Sequence, residues 1–108
     1  MNQLKVLIVG AGRIAGLNEM DRKRIKPCTH FGAFNNNKNF KVEAVVDKEI
    51  SRARTFGKLF NLKYFLSLNK ALKIIKPDLV SVAVPYSLHR SVIEKCALSE
   101  FRPKIIFC

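Results

Sequence analysis

Six residues near the start of the chain have the types and spacing to hold a phosphate. Gly10, Ala11, Gly12, Arg13, Ile14 and Ala15 form the pattern Gly-x-Gly-x-x-Ala directly after the apolar run of residues 4–9. Gly10 lets the chain turn sharply out of a strand. Gly12 lacks the Cβ that would keep a pyrophosphate off the backbone, and Ala15 is small enough for a following helix to pack closely. The free N–H groups at the start of such a helix face the phosphates, and its dipole favours their charge. A glycine turn of this kind can also be purely structural. The strand in front of it is what makes it a binding signal.

Asp47 closes a second apolar run, residues 40–46. An acidic side chain at the end of a second strand accepts hydrogen bonds from both hydroxyls of an adenine ribose and repels a 2′-phosphate. Asp47 therefore favours NAD over NADP. It lies 32 positions after Ala15, where about 20 is usual. The polar, basic stretch of residues 18–28 accounts for the excess as an insertion. A solvated aspartate at a strand end would read the same way. Lys48 and Arg52 are near enough to meet a 2′-phosphate, which keeps NADP open. Val84 closes a third apolar run, residues 79–84, and Pro85, Tyr86 and His89 follow it. They fall where the strand order reverses, the place where doubly wound sheets bind ligands.

The elements that must position these residues alternate along the chain. A buried strand spans residues 3–9, apolar almost throughout as a strand covered on both faces requires. A helix opens near Arg13 and stops before Lys26, because Pro27 forces its predecessor out of helical geometry. A second helical piece covers residues 29–34 with Thr29 as N-cap, and the asparagine-rich residues 35–39 make a turn. After the strand at 40–46, a helix over 49–60 places Ile50, Ala53, Gly57 and Phe60 on one face. Tyr64 and Phe65 form a short strand. Ser67 caps a helix with the stripe Leu68, Ala71, Leu72 and Ile75, ended by Pro77. The strand at 79–84 stops at Pro85. A helix over 87–99 turns Leu88, Val92, Cys96 and Ala97 inward, and residues 104–108 form a fifth strand. This alternation calls for an α/β fold, a Rossmann-like doubly wound parallel sheet of order 3-2-1-4-5 truncated after the fifth strand.

Composition narrows the function classes. A chain of 108 residues with 48% hydrophobic content is one domain with enough apolar material for a core. The net charge of +12 comes from 20 Lys and Arg against 8 Asp and Glu. Those charges are spread out. The one cluster, Arg22, Lys23, Arg24 and Lys26, has no interleaved aromatic residue and reads as a solvated loop. Nucleic acid is not the expected partner; an anionic cofactor or an acidic partner domain suits the charge as well. No apolar run approaches the roughly 18 residues of a membrane helix, and the N-terminus lacks the features of a secretory signal. The expected localisation is cytoplasmic, away from membranes. Cys28, Cys96 and Cys108 have no zinc spacing and are odd in number. No metal site or disulfide framework is expected, and Cys96 reads as a small core residue.

Four segments together resemble one family. Gly10-Ala11-Gly12-Arg13-Ile14-Ala15, Val45-Val46-Asp47, Lys76-Pro77-Asp78-Leu79-Val80, and Val82-Ala83-Val84-Pro85 with His89 stand in the order found in the glucose–fructose oxidoreductase and inositol dehydrogenase family (Gfo/Idh/MocA). The resemblance implies that Gly10, Gly12, Arg13 and Ile14 line the pyrophosphate and that Asp47 holds the adenosine ribose. It places Val84 and Pro85 beside the cofactor, with His89 on the nicotinamide side. Tyr86 stands where the family has Asn, a departure from its pattern. His30 matches a family histidine and is expected to pack. The family continues into a Glu-Lys-Pro motif and a substrate domain, so residues 1–108 are expected to be the NAD(P)-binding Rossmann domain alone, without catalytic residues. The resemblance implies an oxidoreductase moving a hydride to or from a sugar, nucleotide-sugar or cyclitol hydroxyl. It also implies NAD as cofactor with NADP open, a small sugar-like substrate in the full-length protein, and a homo-oligomer. A dinucleotide-binding or sensing module without chemistry would carry the same fingerprint.

Overall fold

Strand β1 (Leu4–Val9) takes the centre of the sheet. In the computed structural model, which describes residues 3–108, it pairs in parallel with β2 (Phe40–Val46) on one side and β4 (Leu79–Val82) on the other. The outer strands are β3 (Lys63–Phe65) beside β2 and β5 (Ile105–Phe107) beside β4, giving the order β3-β2-β1-β4-β5. This is the expected doubly wound topology. Met1 and Asn2 of the expected domain lie outside the described residues.

Alternation along β1 divides the core into two layers. Val6 and Ile8 face Phe31 and Phe34 of α1 (His30–Asn35) and Phe56 of α2 (Ile50–Phe60). Leu7 and Val9 face Leu68, Ala71, Leu72 and Ile75 of α3 (Leu68–Ile75) and Cys96 of α4 (His89–Leu98). The stripe expected on α3 is buried in full, and Ser67 caps that helix by accepting from the Lys70 N–H. In β2 the register slips by one residue. Val6 lies opposite Val42, but Leu7 lies opposite Ala44. Glu43 is the extra residue of this bulge, so Val42 and Ala44, two apart in sequence, reach opposite layers.

Several expected elements are corrected. In α2 the buried residues are Ala53, Phe56 and Gly57, while Ile50 is exposed. Phe56 is fully buried between Phe31 and Phe60. β4 ends at Val82, two residues early, although the Ala83 N–H still reaches the Val9 carbonyl at 2.8 Å. Residues 86–88 form a 3₁₀ turn ahead of α4, and only Cys96 of that helix is buried; Leu88 and Ala97 are exposed.

The largest correction concerns the helix after the glycines. No α-helix opens near Arg13. Residues 13–16 are turns and Leu17–Met20 is a 3₁₀ segment. The helix begins and then resumes: the His30 N–H donates to the Ile14 carbonyl at 3.0 Å and the Phe31 N–H to the Ala15 carbonyl at 2.7 Å. These are the bonds of one helix with a segment looped out. His30 stands 16 positions after Ile14, where an α-helix has four. The surplus of a dozen matches the surplus between Ala15 and Asp47.

Glu19 closes the excursion. Its Oε1 accepts from the Cys28 N–H at 2.7 Å, the Thr29 N–H at 2.9 Å and the Thr29 hydroxyl at 2.7 Å. Thr29 is the N-cap of α1, as expected, and its Oγ1 accepts from the Gly32 N–H at 3.0 Å. Burial alone would raise the Glu19 pKa, but these hydrogen bonds outweigh it and hold the carboxyl below its ordinary range.

Candidate functional site

A cleft of about 760 Å³ opens at the carboxyl ends of β1, β2 and β4. Its size suits a ligand larger than a single metabolite fragment. Gly10 sits at its base with φ +107°, and its N–H donates to the Val46 carbonyl at 2.7 Å. A Cβ there would lie 2.6 Å from the Ala83 carbonyl oxygen. Gly10 is thus required by the close approach of β1 to β4. Gly12 differs: a Cβ there would meet nothing within 4 Å. The space beside it is open to the cleft, so packing within the described residues does not require a glycine there. A dinucleotide pyrophosphate fits that opening.

Asp47 ties the turn to β2. Its side chain is almost wholly buried. Its Oδ2 accepts from the Ala11 N–H at 3.0 Å, and its Oδ1 accepts from the Glu49 N–H at 2.9 Å and from Arg52 Nη2 at 3.2 Å. Oδ1 is filled and Oδ2 has one acceptor site left. Arg52 also reaches Glu49 at 3.4 Å. The hydrogen bond to Asp47, with that group's charge, makes the guanidinium harder still to deprotonate. Arg13, Lys48, Arg52 and Lys95 line the cleft against the single carboxylate of Asp47. Four cations to one anion produce a field suited to a phosphorylated ligand.

The structure brings Gly10, Gly12, Arg13, Ile14, Asp47, Val84 and Pro85 together in the cleft wall. His89 stands behind that wall. Its Nε2 lies 2.9 Å from the Val84 carbonyl oxygen. A carbonyl only accepts, so Nε2 carries the proton and the ring supports Val84. Tyr86 projects into solvent with its ring 5.5 Å from that of His89. His30 lies elsewhere, with Nδ1 2.6 Å from the buried Ser81 hydroxyl and its ring edge-on to Phe107. Burial first, and then the charge of His89, holds the His30 pKa below its ordinary range.

Three polar lining residues escaped the sequence reading: Asn18, Ser91 and Lys95. Ser91 and Lys95 stand four apart on α4, a spacing that shares a helix face. Nothing local to Asn18 marks it, because its place depends on the looped-out helix. Among the described residues lining the cleft, no histidine, cysteine or tyrosine occurs and Asp47 is the one carboxylate. No group of three or more His, Cys, Asp or Glu among the described residues could hold a metal. No helix among them is long and apolar enough to cross a membrane.

Residues 4–106 match the Gfo/Idh/MocA family model, described as an oxidoreductase family with an NAD-binding Rossmann fold. No curated protein matches. Among solved structures, a protein described as an NADPH-dependent oxidoreductase, from Desulfitobacterium hafniense, superposes with a TM-score of 0.75 at 21% identity, over 98% of this chain and 27% of its own. GenD2 from gentamicin A biosynthesis, solved with NAD, gives 0.71 at 20% identity, over 90% of this chain and 25% of its own. The WlbA dehydrogenase from Chromobacterium violaceum, solved with NADH and UDP-GlcNAcA, gives 0.72 at 21% identity, over 90% and 25%. The chain therefore spans about a quarter of the length of these structures.

Proposed function

Because the chain belongs to the Gfo/Idh/MocA oxidoreductase family and carries its NAD-binding Rossmann fold, we propose that it is the cofactor-binding part of a dehydrogenase. The reaction would move a hydride to or from a hydroxyl-bearing carbon of a sugar, nucleotide sugar or cyclitol. The observation that supports this reading best is the open space at Gly12, facing Asp47 across the turn and flanked by cations. A bound nicotinamide dinucleotide supplies hydride transfer. The residues of this chain bind and orient it. Backbone N–H groups after Gly12 and the Arg13 guanidinium meet the phosphates. Asp47 accepts from the adenosine ribose through the free site on Oδ2. Val84 and Pro85 form the apolar wall toward the nicotinamide, held in place by His89.

Proton transfer from a substrate hydroxyl needs a base within hydrogen-bond reach. Asp47, the cleft's carboxylate, is committed to the glycine turn and to Arg52. The proton acceptor, the substrate pocket and any homo-oligomer contacts are therefore assigned to a further domain. On this reading the 108 residues bind cofactor without turnover. Titration with NADH and NADPH, by nicotinamide fluorescence and calorimetry, tests it. The expected result is saturable NADH binding weakened by Asp47→Ala. Absence of binding to either cofactor would refute it, and steady-state dehydrogenase activity of the chain alone would refute the assignment of catalysis elsewhere.

A further inference from the structure

Asn18 is about nine-tenths buried, yet its carboxamide is only half used. Its Oδ1 accepts from Arg13 Nε at 3.2 Å. Arg13 Nε–H is a donor only, so the oxygen must face it and the amide nitrogen must point elsewhere. That nitrogen has no hydrogen-bond partner among the described residues. The nitrogen is not sealed off, because every fully buried side-chain nitrogen and oxygen among the described residues has a partner; it is a free donor open to a ligand. Asn18 lines the cleft together with Gly12, Arg13 and Ile14.

The looped-out helix is what puts Asn18 there. In the tightened and widened turns after Gly12, the Asn18 N–H reaches back five residues to the Arg13 carbonyl at 2.9 Å. The Asn18 carbonyl in turn accepts from the Asp21 N–H at 3.0 Å and from the Cys28 thiol at 3.4 Å. Glu19, the next residue, clasps Cys28 and Thr29. Both ends of the excursion thus converge on one asparagine. We propose that Asn18 is a cofactor-binding residue, whose amide N–H donates to a phosphate oxygen while its carbonyl holds the Arg13 side chain toward the same phosphate. Resting on the dinucleotide-binding reading, this gives the excursion a role: it builds a two-residue anion clamp beside the glycine turn.

Calorimetric titration of the 108-residue chain with NADH, ADP and adenosine tests the clamp. Asn18→Ala removes both contacts. Asn18→Asp keeps the partner for Arg13, removes the donor, and sets a negative charge against the phosphates. A hydrogen bond to a charged group accounts for roughly a tenfold or greater change in affinity. Asn18→Ala should weaken NADH and ADP by about tenfold, and Asn18→Asp by more, while adenosine, which has no phosphate, binds each variant as it binds the wild type. Affinities for NADH and ADP within threefold of wild type in both variants would overturn the proposal. So would a loss of adenosine binding in parallel with ADP, which would mark Asn18 as structural. If the wild-type chain bound NADH but the variants showed either pattern, the clamp alone would fail. If the wild type bound neither NADH nor ADP, the dinucleotide reading would fall with it.

Discussion

The two glycines of the turn answer to different demands, and substitution should separate them. Gly10 has φ +107° and a prospective Cβ 2.6 Å from the Ala83 carbonyl oxygen. Gly10→Ala therefore adds backbone strain of about 1–3 kcal/mol and forces β1 and β4 apart where the Ala83 N–H bonds to Val9. For a domain of this size each kcal/mol shifts Tm by about 4–8 °C, so Gly10→Ala should melt about 10 °C early or fail to fold. Gly12 lies outside the left-handed region and has open space at its Cβ. Gly12→Ala should leave stability within about 1 kcal/mol, on the favourable side, because it restricts the unfolded chain. Gly12→Val should also fold, but its side chain would occupy the phosphate space. Losing two backbone hydrogen bonds to a charged phosphate, at about 1.5 kcal/mol each or more, raises Kd roughly a hundredfold. Thermal melts by far-UV circular dichroism report the first quantity. Nicotinamide emission reports the second without interference, because the chain has no Trp. A folded Gly12→Val variant that bound NADH within threefold of wild type would show that phosphates do not approach this turn. A Gly12→Ala variant that melted as early as Gly10→Ala would refute the division between the two residues.

Other consequences follow from the same geometry. Arg52 is half exposed and sits against Asp47 with Lys48 beside it, so Arg52→Ala should weaken NADPH by about tenfold, since a charged hydrogen bond to the 2′-phosphate is lost, and change NADH little; equal effects on both cofactors would exclude a 2′-phosphate contact. Glu19 has a depressed pKa in the folded chain, so its clasp contributes stability above the ordinary glutamate range and loses it as pH falls through the lower folded value. The Tm difference between wild type and Glu19→Gln should be largest at neutral pH and vanish in acid; a pH-independent difference would contradict this. The Cys96 thiol is fully buried and pushed up to about 11, and burial followed by the nearby Glu19 charge raises Cys28 as well. Iodoacetamide at pH 7.5, read by peptide mass spectrometry, should label exposed Cys108 first, and rapid labelling of Cys96 would show that α4 does not pack as described.

What could be read from the sequence was what local rules control. Thr29 and Ser67 were legible as caps because a side-chain oxygen needs only the N–H three residues on. The α3 stripe and the strand order followed from periodicity and alternation. The turn glycines and Asp47 were legible because strand-end chemistry is local. Features resting on contacts distant in sequence were not. The bulge at Glu43 depends on how β2 meets β1. The burial of Phe56 rather than Ile50 depends on Phe31 and Phe60 packing around it. Asn18 read as the first residue of a polar insertion, since only the return of the chain at Thr29 turns it toward the cleft.

The looped-out helix makes the strongest claim about how this chain is built, and it can be tested by removal. His30 and Phe31 donate to Ile14 and Ala15. Deleting residues 17–28, a dozen in all, and joining Gly16 to Thr29 would place those donors four positions after their acceptors, the spacing of an uninterrupted α-helix. His30 would keep its place against Ser81, and Phe31 and Phe34 their places in the core. Gly16 must remain, since a Cβ there would overlap the Phe56 ring. The shortened chain should therefore fold with a higher helical signal per residue, and a crystal or solution structure should show one helix from the glycine turn into α1. It would also lack Asn18 and the Glu19 clasp, so NADH should bind more weakly although Gly12 and Asp47 are intact. A deletion that failed to fold, while Glu19→Gln folded, would mean that the excursion is itself structural and that residues 14 and 30 do not belong to one helix. A deletion that folded and bound NADH as tightly as the full chain would uphold the helix and deny the excursion any part in holding phosphate.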